Sequence, residues 1–583
     1  MHLRPVGLLL LTLALAPACA GPSTSAPQPT VVAVRGPEGV APTWPMAGKS
    51  RVTTGASAMV VSGSPLASEA GRDVLRRGGN AVDAAVAVGF ALAVVHPEAG
   101  NIGGGGFMVI RLKDGSADAI DYRETAPGAA TRDMFVDRNG NPTDLSITGH
   151  LAAGVPGAVS GMLEAHRKYG RLPLAEVIGA AVRLASEGFP VDSHRFRSID
   201  GDRERLYLFP GSRASFLPNG QAPQPGTTLV QRDLGRTLAA IRDHGADGFY
   251  KGWVADSIVA EMKRGGGIIS HADLAAYRAV WREPIKVTYR GHTIYSMPPA
   301  SSGGVTMAQI LNIMEAFGPT PPFGSSALLH REAEAMRRAF TDRNVYLGDP
   351  AFVKMPLDRL LSKEYAAQLR AQIGERASKT AEFDPSIRGG ASTTHYSVVD
   401  AEGNAVSTTT TLNNSYGSAV TVSGAGFLLN DEMDDFATAP GKPNMFGLVQ
   451  GEANAVQPGK RMLSAMTPSI VLDPNDELLM VVGTPGGPRI ITMVYHVISN
   501  VIDHRMSLAD AVAAPRMHHQ ALPDRMRLER GGFTPGTAAA LRALGHDVDE
   551  QGGYSGDVEA IIRQDGGWQG VSDPRYGGGG AGY

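Results

Sequence analysis

The chain has 583 residues, enough for a large hydrophobic core, and its length alone suggests about four domains. Its charges nearly balance, with a net charge of −3 and a sequence pI near 6.6, so no basic field indicates a nucleic acid partner. The apolar fraction of 43% is ordinary for a soluble globular protein. Cys19 is the only cysteine, so no disulfide can form within the chain.

The N-terminal residues predict export. Arg4 precedes a short apolar run at residues 8–16, which is too short to span a bilayer stably and is typical of the core of a signal peptide. A small-x-small pattern that ends at Ala20 predicts a signal peptide of residues 1–20.

A second processing route stays open, because Cys19 lies between the apolar run and a flexible segment. This arrangement resembles a bacterial lipoprotein, in which residues 1–18 would be the signal and the cysteine would carry lipid and tether the protein to a membrane. Residues 21–50, rich in Pro, Ser and Ala, are interpreted as a linker. Both routes place the protein in the periplasm or the cell envelope.

Helix and strand patterns follow in chain order, without an internal repeat. The apolar stretch at residues 81–95 is too short for a membrane span and predicts a buried helix. The predicted elements are a strand at 56–62, helices at 67–77 and 81–94, a strand at 107–111, a helix from 156 to about 168, further helices to 375, an exposed loop at 374–390, strands from 393 to 488 and a helix at 489–501. This order predicts layered α+β packing.

A strand that opens on Thr393 is the most informative local pattern. From Thr393 to Asp400 the side chains alternate, which predicts one strand with two distinct faces. A cut between Ser392 and Thr393 would place a free α-amine beside the threonine hydroxyl, so that one residue supplies both nucleophile and base. An α-amine has a pKa of roughly 7.7–8 and can accept the hydroxyl proton near neutral pH. The competing interpretation is an ordinary strand rich in threonine.

The next strand brings a second threonine close to the first. A three-residue loop with Gly403 at its end is a common hairpin connection. Pairing Asp400 with Asn404 and following the ladder places Thr393 near Thr411.

Several motifs together resemble the γ-glutamyltranspeptidases, a family of N-terminal-nucleophile hydrolases. The motifs are T-T-H-Y-S-V-V-D at 393–400, T-L-N at 411–413, G-N-I-G-G-G-G-F at 100–107, D-Y-R-E-T-A-P at 121–127, L-N-D-E-M-D-D-F at 429–436, K-R-M-L-S-A-M at 460–466, G-T-P-G-G at 483–487 and the terminal A-G-Y. The resemblance implies a four-layer αββα sandwich formed jointly by two cleavage products. These would be a large subunit, 51–392, and a small catalytic subunit, 393–583, held together as a heterodimer.

The resemblance also implies the catalytic groups. Thr393 would be the nucleophile and Thr411 its hydrogen-bond partner. Gly486 and Gly487 would form an oxyanion hole, since two successive N–H groups without side chains can approach a developing oxyanion closely. The competing interpretation of the two glycines is a tight turn.

Substrate-binding residues are implied in the same way. Arg123 would grip the α-carboxylate of the glutamyl group, because a guanidinium offers a planar fork to a carboxylate. Acceptors and negative charge would surround the α-ammonium. The implied residues are Arg123 and Ser464 for the carboxylate and Asn413, Glu432 and Asp435 for the ammonium.

The sequence departs from the family pattern at two positions. Ala465 stands where a second serine is usual, and Phe446 stands where some relatives carry tyrosine in a segment, 440–451, that covers the pocket. The glycines at 103–106 lack the features of a phosphate-binding loop and predict a structural turn. His518 and its neighbour do not have the spacing of a metal site.

The resemblance therefore implies an exported γ-glutamyltransferase and glutathione hydrolase that is made as a precursor. Glutathione or another γ-glutamyl compound would acylate Thr393, and water, an amino acid or a dipeptide would release the glutamyl group. No metal or organic cofactor is implied. Two alternatives stay open: an acylase of the same fold acting on glutaryl or cephalosporin-type amides, and a non-catalytic surface lipoprotein that binds γ-glutamyl peptides.

Overall fold

The computed structural model describes residues 39–380 and 393–583. The predicted signal, Cys19 and Ser392 therefore lie outside the described residues, as does most of the loop predicted before Thr393. Residues 39–50 of the predicted linker are described. In this segment Trp44 is buried and donates its indole N–H to the Ala513 carbonyl at 2.7 Å.

The strands alternate with helices through the first part of the chain and dominate after Thr393. They are β1 Arg51–Gly55, β2 Met59–Ser62, β3 Gly105–Arg111, β4 Ala117–Asp121, β5 Phe189–Pro190, β6 Thr228–Leu229, β7 Val280–Arg282, β8 Ile285–Tyr289, β9 His292–Ser296, β10 Thr393–Val399, β11 Ala405–Thr411, β12 Ser469–Leu472, β13 Leu478–Val482, β14 Met517–His518, β15 Met526–Glu529, β16 Val548–Gly552, β17 Glu559–Gln564, β18 Gly567–Ser572 and β19 Gly579–Gly582.

The helices lie mainly before residue 372, and three follow residue 488. They are α1 Pro65–Arg76, α2 Ala81–Val95, α3 Ala158–Tyr169, α4 Leu174–Glu187, α5 Ser193–Gly201, α6 Arg203–Tyr207, α7 Pro210–Phe216, α8 Arg232–His244, α9 Asp247–Tyr250, α10 Gly252–Gly265, α11 His271–Ala276, α12 Gly303–Ala316, α13 Ser326–Tyr346, α14 Leu357–Leu361, α15 Lys363–Ala371, α16 Arg489–Ile502, α17 Leu508–Ala513 and α18 Pro535–Ala543. No helix within the described residues is long and apolar enough to cross a membrane.

Two antiparallel seven-stranded sheets form the centre of the fold. Sheet I has the order β19-β2-β10-β11-β3-β4-β7, and sheet II has the order β1-β18-β17-β13-β12-β9-β8. Each sheet combines strands from before and after residue 393, so a cut before Thr393 would not separate two domains.

Alternation along the strands explains why sheet I is buried on both faces. In β10, Tyr396 and Val398 pack with helix α2, whereas Val399 packs toward sheet II. Ser397 also points toward sheet II, because its hydroxyl donates to the Glu559 carbonyl of β17 at 2.8 Å. The two faces are those predicted from the sequence, since successive side chains of a strand point to opposite sides.

Helices cover both outer faces and complete four layers. The cluster that joins α1–α4 to sheet I includes every apolar side chain of α2, a helix buried along its whole length as predicted. Helices α12, α13 and α16 pack on sheet II. Asn80 caps the start of α2, accepting hydrogen bonds from the N–H groups of Val82 and Asp83, which is worth about 1 kcal/mol. The result is the expected αββα sandwich.

The glycine run at 103–106 was predicted to be a structural turn, but Gly105 and Gly106 are the first two residues of β3 and the run allows close packing there. A Cβ on Gly104 would lie 2.2 Å from the Thr411 carbonyl oxygen. The same carbonyl accepts a 2.8 Å hydrogen bond from the Asn101 side chain, whose oxygen in turn accepts from Gly104 N. Because only glycine allows this close approach, the run positions the end of β11, where Thr411 lies.

Candidate active site

A pocket opens where β10 begins and β11 ends. It brings together side chains that lie far apart in the sequence and includes all but one of the predicted catalytic and binding residues. The lining residues are Arg123, Arg343, Thr393, Thr411, Asn413, Glu432, Asp435, Phe446, Leu448, Leu463, Ser464, Ala465, Met466, Gly487, Pro488 and Ile490. Among the described residues, Gly486 is the one predicted catalytic residue that does not line this pocket.

Thr393 and Thr411 face each other across the β10–β11 ladder, in the register predicted from the hairpin loop. The Thr393 hydroxyl donates to Thr411 Oγ1 at 3.2 Å, and the backbone N–H of Asn413 donates to the same oxygen at 2.7 Å. Asn413 adopts a φ of 78°, which carries the chain sharply away from the strand end. Thr411 can therefore orient the Thr393 hydroxyl without removing its proton.

The glycine pair lies at the turn that leads into α16. Gly487 lines the pocket, with a φ of 57° that favours glycine, and its carbonyl accepts from Ile490 N. Within residues 39–380 and 393–583, no hydrogen-bond acceptor is found for the backbone N–H of Gly487. Gly486 has a φ of 144°, and a Cβ there would lie 2.4 Å from Met493 Cε. The structure thus places Gly487 beside Thr393 and leaves the predicted role of Gly486 untested.

Arg123 is buried at the far side of the pocket and is not a surface ion pair. Its two terminal nitrogens donate to Glu432 and Asp435, while Nε donates to the Met462 carbonyl at 3.2 Å. Glu124 lies 3.7 Å from the same guanidinium. The Arg123 guanidinium therefore binds two separate carboxylates. A zwitterion could bind between these groups, its negative group at the guanidinium and its positive group at the carboxylates.

The acids around Arg123 are hard to ionise together in the empty pocket. Burial raises the pKa of Glu432 well above its usual range, and burial also raises the pKa of Asp435. Burial raises the pKa of Glu124 to about 8, although Arg123 acts in the opposite direction. A cation that entered the pocket would favour the ionised forms of these carboxyls.

The adjacent acids Asp434 and Asp435 point in different directions. Residues 432–435 are not an extended segment but form a 3₁₀ helix, Glu432–Asp435. Asp434 turns away from the pocket and accepts from Ser146 Oγ at 2.7 Å and Met445 N at 3.0 Å. In a 3₁₀ helix each residue rotates the side chain by about 120°, so neighbours also point apart.

The covering segment, residues 440–451, and Ser464 with Ala465 complete the pocket. Ser464 Oγ accepts from Met466 N at 3.1 Å, which leaves its own O–H available to donate to a substrate. Ala465 lines the pocket with a methyl group only. Phe446 is buried in the wall, and its carbonyl accepts from the side chain of Gln520 at 3.2 Å.

Replacing Ala465 with serine is expected to lower KM for γ-glutamyl donors while kcat stays nearly unchanged. The added hydroxyl would make one hydrogen bond to a charged group, worth up to about 1.5 kcal/mol, or roughly tenfold, because water can partly fill the present space. A contact remote from the reacting carbonyl is felt equally in ground and transition states. Steady-state kinetics of Ala465→Ser would check this, and an unchanged KM would show that other groups already satisfy the carboxylate.

Arg343 is a charged residue of the pocket that no sequence motif indicated. It extends from α13, and its guanidinium contacts only neutral side chains among the described residues: Ser302 at 3.2 Å, Asn344 at 3.1 Å and Gln450 at 2.7 Å. Burial lowers its pKa to about 10, opposed by nearby Asp435. Because α13 also carries several other arginines, no local sequence signal distinguished this one.

The αββα sandwich with a threonine at the head of a central strand defines the class of N-terminal-nucleophile hydrolases. The model of the family described as gamma-glutamyltranspeptidase matches residues 67–583. The chain belongs to the gamma-glutamyltranspeptidase family, as the motifs predicted.

Individual proteins agree with this assignment. The chain is 47% identical over 524 residues to the glutathione hydrolase proenzyme of Escherichia coli (strain K12), covering 89% of this chain and 90% of that protein. It is 50% identical over 498 residues to the glutathione hydrolase proenzyme of Pseudomonas sp. (strain A14), covering 84% and 86%. The crystal structure of cephalosporin acylase from Bacillus halodurans superposes with a TM-score of 0.81 at 28% identity, covering 93% and 98%.

Proposed function

We propose that the protein is a self-cleaving γ-glutamyltransferase and glutathione hydrolase. The observation that carries this proposal is one pocket in which the Thr393 hydroxyl, oriented by Thr411, lies opposite Arg123 and its two carboxylate partners. The names of the relatives, glutathione hydrolase proenzymes, support both the donor and the processing.

Processing would begin with attack of Thr393 Oγ on the carbonyl carbon of Ser392. The C–N bond breaks as the C–O bond forms, and the nitrogen of Thr393 takes up a proton to become an α-amine. Water then hydrolyses the ester, which releases the chain ending at Ser392 and restores the threonine hydroxyl. The mature nucleophile thus carries its own base.

Turnover would use the same hydroxyl. The α-amine accepts the proton of Thr393 Oγ as the oxygen attacks the γ-carbonyl of the donor, and the N–H of Gly487 stabilises the oxyanion. The leaving amine takes the proton as its C–N bond breaks. Water, an amino acid or a dipeptide then attacks the γ-glutamyl ester and regenerates Thr393.

Donor recognition would follow from the charges at the far side of the pocket. The α-carboxylate binds to Arg123 and to the O–H of Ser464, with Arg343 as a further cation within the same lining. The α-ammonium binds to Glu432, Asp435 and the side-chain oxygen of Asn413, whose Nδ2 is already engaged with the Asp431 carbonyl at 3.0 Å. The donor would thus replace the ion pairs between Arg123 and the two acids with two new ones, one between its carboxylate and Arg123 and one between its ammonium and the acids.

Product analysis with a γ-glutamyl anilide tests the proposal. With purified mature protein, glutamate should form in buffer, and a γ-glutamyl dipeptide adduct should appear when glycylglycine is added. A protein that stays a single chain on a denaturing gel and releases no aniline would overturn the assignment.

An acylase that acts on glutaryl amides is the second candidate, favoured by the structural likeness to cephalosporin acylase and by the absence of a hydroxyl at Ala465. Glutaryl groups lack the α-ammonium, so they would leave Glu432 and Asp435 without a cation. Comparing kcat/KM for a γ-glutamyl amide and its glutaryl analogue decides between the two. Preference for the glutaryl compound would support the acylase.

The pH dependence of donor binding should report the acids of the pocket. Because burial raises the pKa of Glu432 and of Asp435, an incoming ammonium must bind as a proton leaves. KM for a γ-glutamyl donor is therefore expected to fall as the pH rises toward the raised pKa values of these two acids, by up to about tenfold per pH unit for each proton released. A glutaryl amide, which brings no ammonium, is the control, and an equal fall in its KM would contradict this explanation.

Export and lipidation are proposed from the N-terminal sequence alone. Cys19→Ser should move the protein from the membrane fraction to the soluble periplasmic fraction, because the thiol that would carry lipid is lost. Fractionation and mass spectrometry of the mature N-terminus check this. Equal membrane association of the variant, or a wild-type N-terminus at Gly21, would indicate ordinary secretion.

A further inference from the structure

A second cavity adjoins the helix that follows the glycine turn. Gly487, Pro488 and Ile490 line the Thr393 pocket, whereas Arg489 and Thr492 line this second cavity. The first turn of α16 therefore contributes one face to each. We call the second space the arginine cavity, since its lining includes Arg489, Arg516 and Arg527.

Arg489 is the feature that indicates a ligand. Its Nε is buried without a hydrogen-bond partner, and within the described ranges no acidic side chain pairs with its guanidinium. Burial and the charge of Arg527 lower the pKa of Arg489. The residue as a whole is partly exposed, so an anion can reach its terminal nitrogens, and a guanidinium without an acidic partner is suited to bind one.

The other charges of the cavity leave a positive excess. Arg516 is paired with Asp573 at 2.6 Å, and Glu529 is paired with Arg575 at 2.6 Å, so both are neutralised within the protein. Arg527 has only a partly exposed contact with Asp549 at 3.6 Å, which is too long and too solvated to bind it firmly.

The remaining polar groups do not supply a negative charge. His518 is buried with its pKa well below the usual range, chiefly because of burial, so it is neutral. Its Nδ1 lies 2.9 Å from the hydroxyl oxygen of Thr492, and the Arg489 carbonyl oxygen lies 3.0 Å from the same atom. The cavity is thus polar and carries a positive excess.

We propose that the arginine cavity binds a small oxyanion, a carboxylate or a phosphate, between the guanidiniums of Arg489 and Arg527 at the start of α16. Guanidinium forks match both anions, and a helix N-terminus adds a favourable dipole. The site is separate from the Thr393 pocket. Since Arg489 is two residues from Gly487, the bound anion also holds the glycine turn in place.

Binding of inorganic phosphate tests the proposal without any turnover. The mature wild-type protein is titrated with phosphate at constant ionic strength, chloride being the balancing anion, and Tm and heat of binding are recorded. Saturable binding that raises Tm is expected for the wild type. Arg489→Gln is expected to weaken it by about tenfold or more, through loss of charge-assisted hydrogen bonds.

Two further variants separate the site from general charge effects. Arg183→Gln removes the same charge from an exposed position on α4 and should bind phosphate as the wild type does. Arg527→Gln lies at a partly exposed position and should weaken binding even if Arg489→Gln fails to fold. If the wild type does not bind phosphate, or if the wild type and the three variants bind it equally, phosphate is not a ligand of this cavity.

Competition identifies the source of the anion. Glycylglycine and its C-terminal amide are each added to the phosphate-loaded wild type. Displacement by the dipeptide but not by the amide assigns the cavity to a peptide carboxylate, and displacement by neither assigns it to a free inorganic anion. If neither phosphate nor glycylglycine binds in a way that depends on Arg489 or Arg527, the cavity is not an oxyanion site.

Discussion

Thr393→Ala is expected to remain a single uncut chain without measurable activity. The alanine has no hydroxyl to attack the Ser392 carbonyl, so neither the ester nor the free α-amine can form. The fold should survive, because Thr393 makes only one hydrogen bond through its hydroxyl to a described residue, Thr411, and that bond is worth about 1 kcal/mol. Denaturing gels, anilide release and Tm measure the three effects.

Two controls make this result specific. Thr393→Ser keeps a hydroxyl and should still be cut, at a lower rate. Thr408→Ala removes a buried threonine from β11, on the opposite face of sheet I, and should be cut like the wild type. N-terminal sequencing of the small product completes the test, since a light chain that began at any residue other than Thr393 would disprove the proposed chemistry.

Arg123→Ala is expected to be cut normally but to lose most of its turnover. The scissile bond of the precursor needs no glutamyl pocket, whereas the donor carboxylate would lose its buried charged partner at a cost of about 2–5 kcal/mol, which is roughly 30- to several-thousand-fold in kcat/KM. Glu432 and Asp435 would also lose their cation, so they would bind protons and hold an ammonium less well.

The matched experiments separate these effects. Arg123→Lys keeps the charge but not the fork, and should lie between alanine and wild type. Arg132→Ala removes an exposed arginine that pairs with Glu452 at 2.6 Å, and should leave kcat/KM unchanged because surface pairs contribute little. An Arg123→Ala protein within about threefold of wild type in kcat/KM would rule out the carboxylate role.

Local patterns were sufficient for the elements nearest the nucleophile. Only the fold shows that one face of β10 meets α2 and the other meets sheet II. The alternation from Thr393 to Asp400 predicted which side chains share a face, and the loop ending at Gly403 predicted the pairing with Thr411. Both succeed because strand period and hairpin register depend on residues only a few positions apart.

Helix prediction was also close, with boundary errors of one or two residues. The run after Asn80 was predicted to end at Val94 and ends at Val95, and the preceding helix begins at Pro65 and not near Ala67. These helices carry their own signals, a capping side chain and a proline in the first turn, so little depends on the rest of the fold.

The family motifs indicated most of the pocket, but only the tertiary structure shows which groups face each other. Arg123 binds to Glu432 and Asp435, 309 and 312 positions away, and no local pattern encodes that contact. The 3₁₀ turn that separates Asp434 from Asp435 was likewise unforeseen.

The sequence by itself therefore determined the local order of this protein: the strand that begins at Thr393, its register with Thr411 and the family to which the motifs belong. The tertiary structure alone decided the electrostatics. Arg343 enters the pocket among neutral partners, and the Nε of Arg489 is buried without a described hydrogen-bond partner. The physical reason is that the charge and pKa of a buried group depend on every element packed around it, and those elements meet only when the chain has folded.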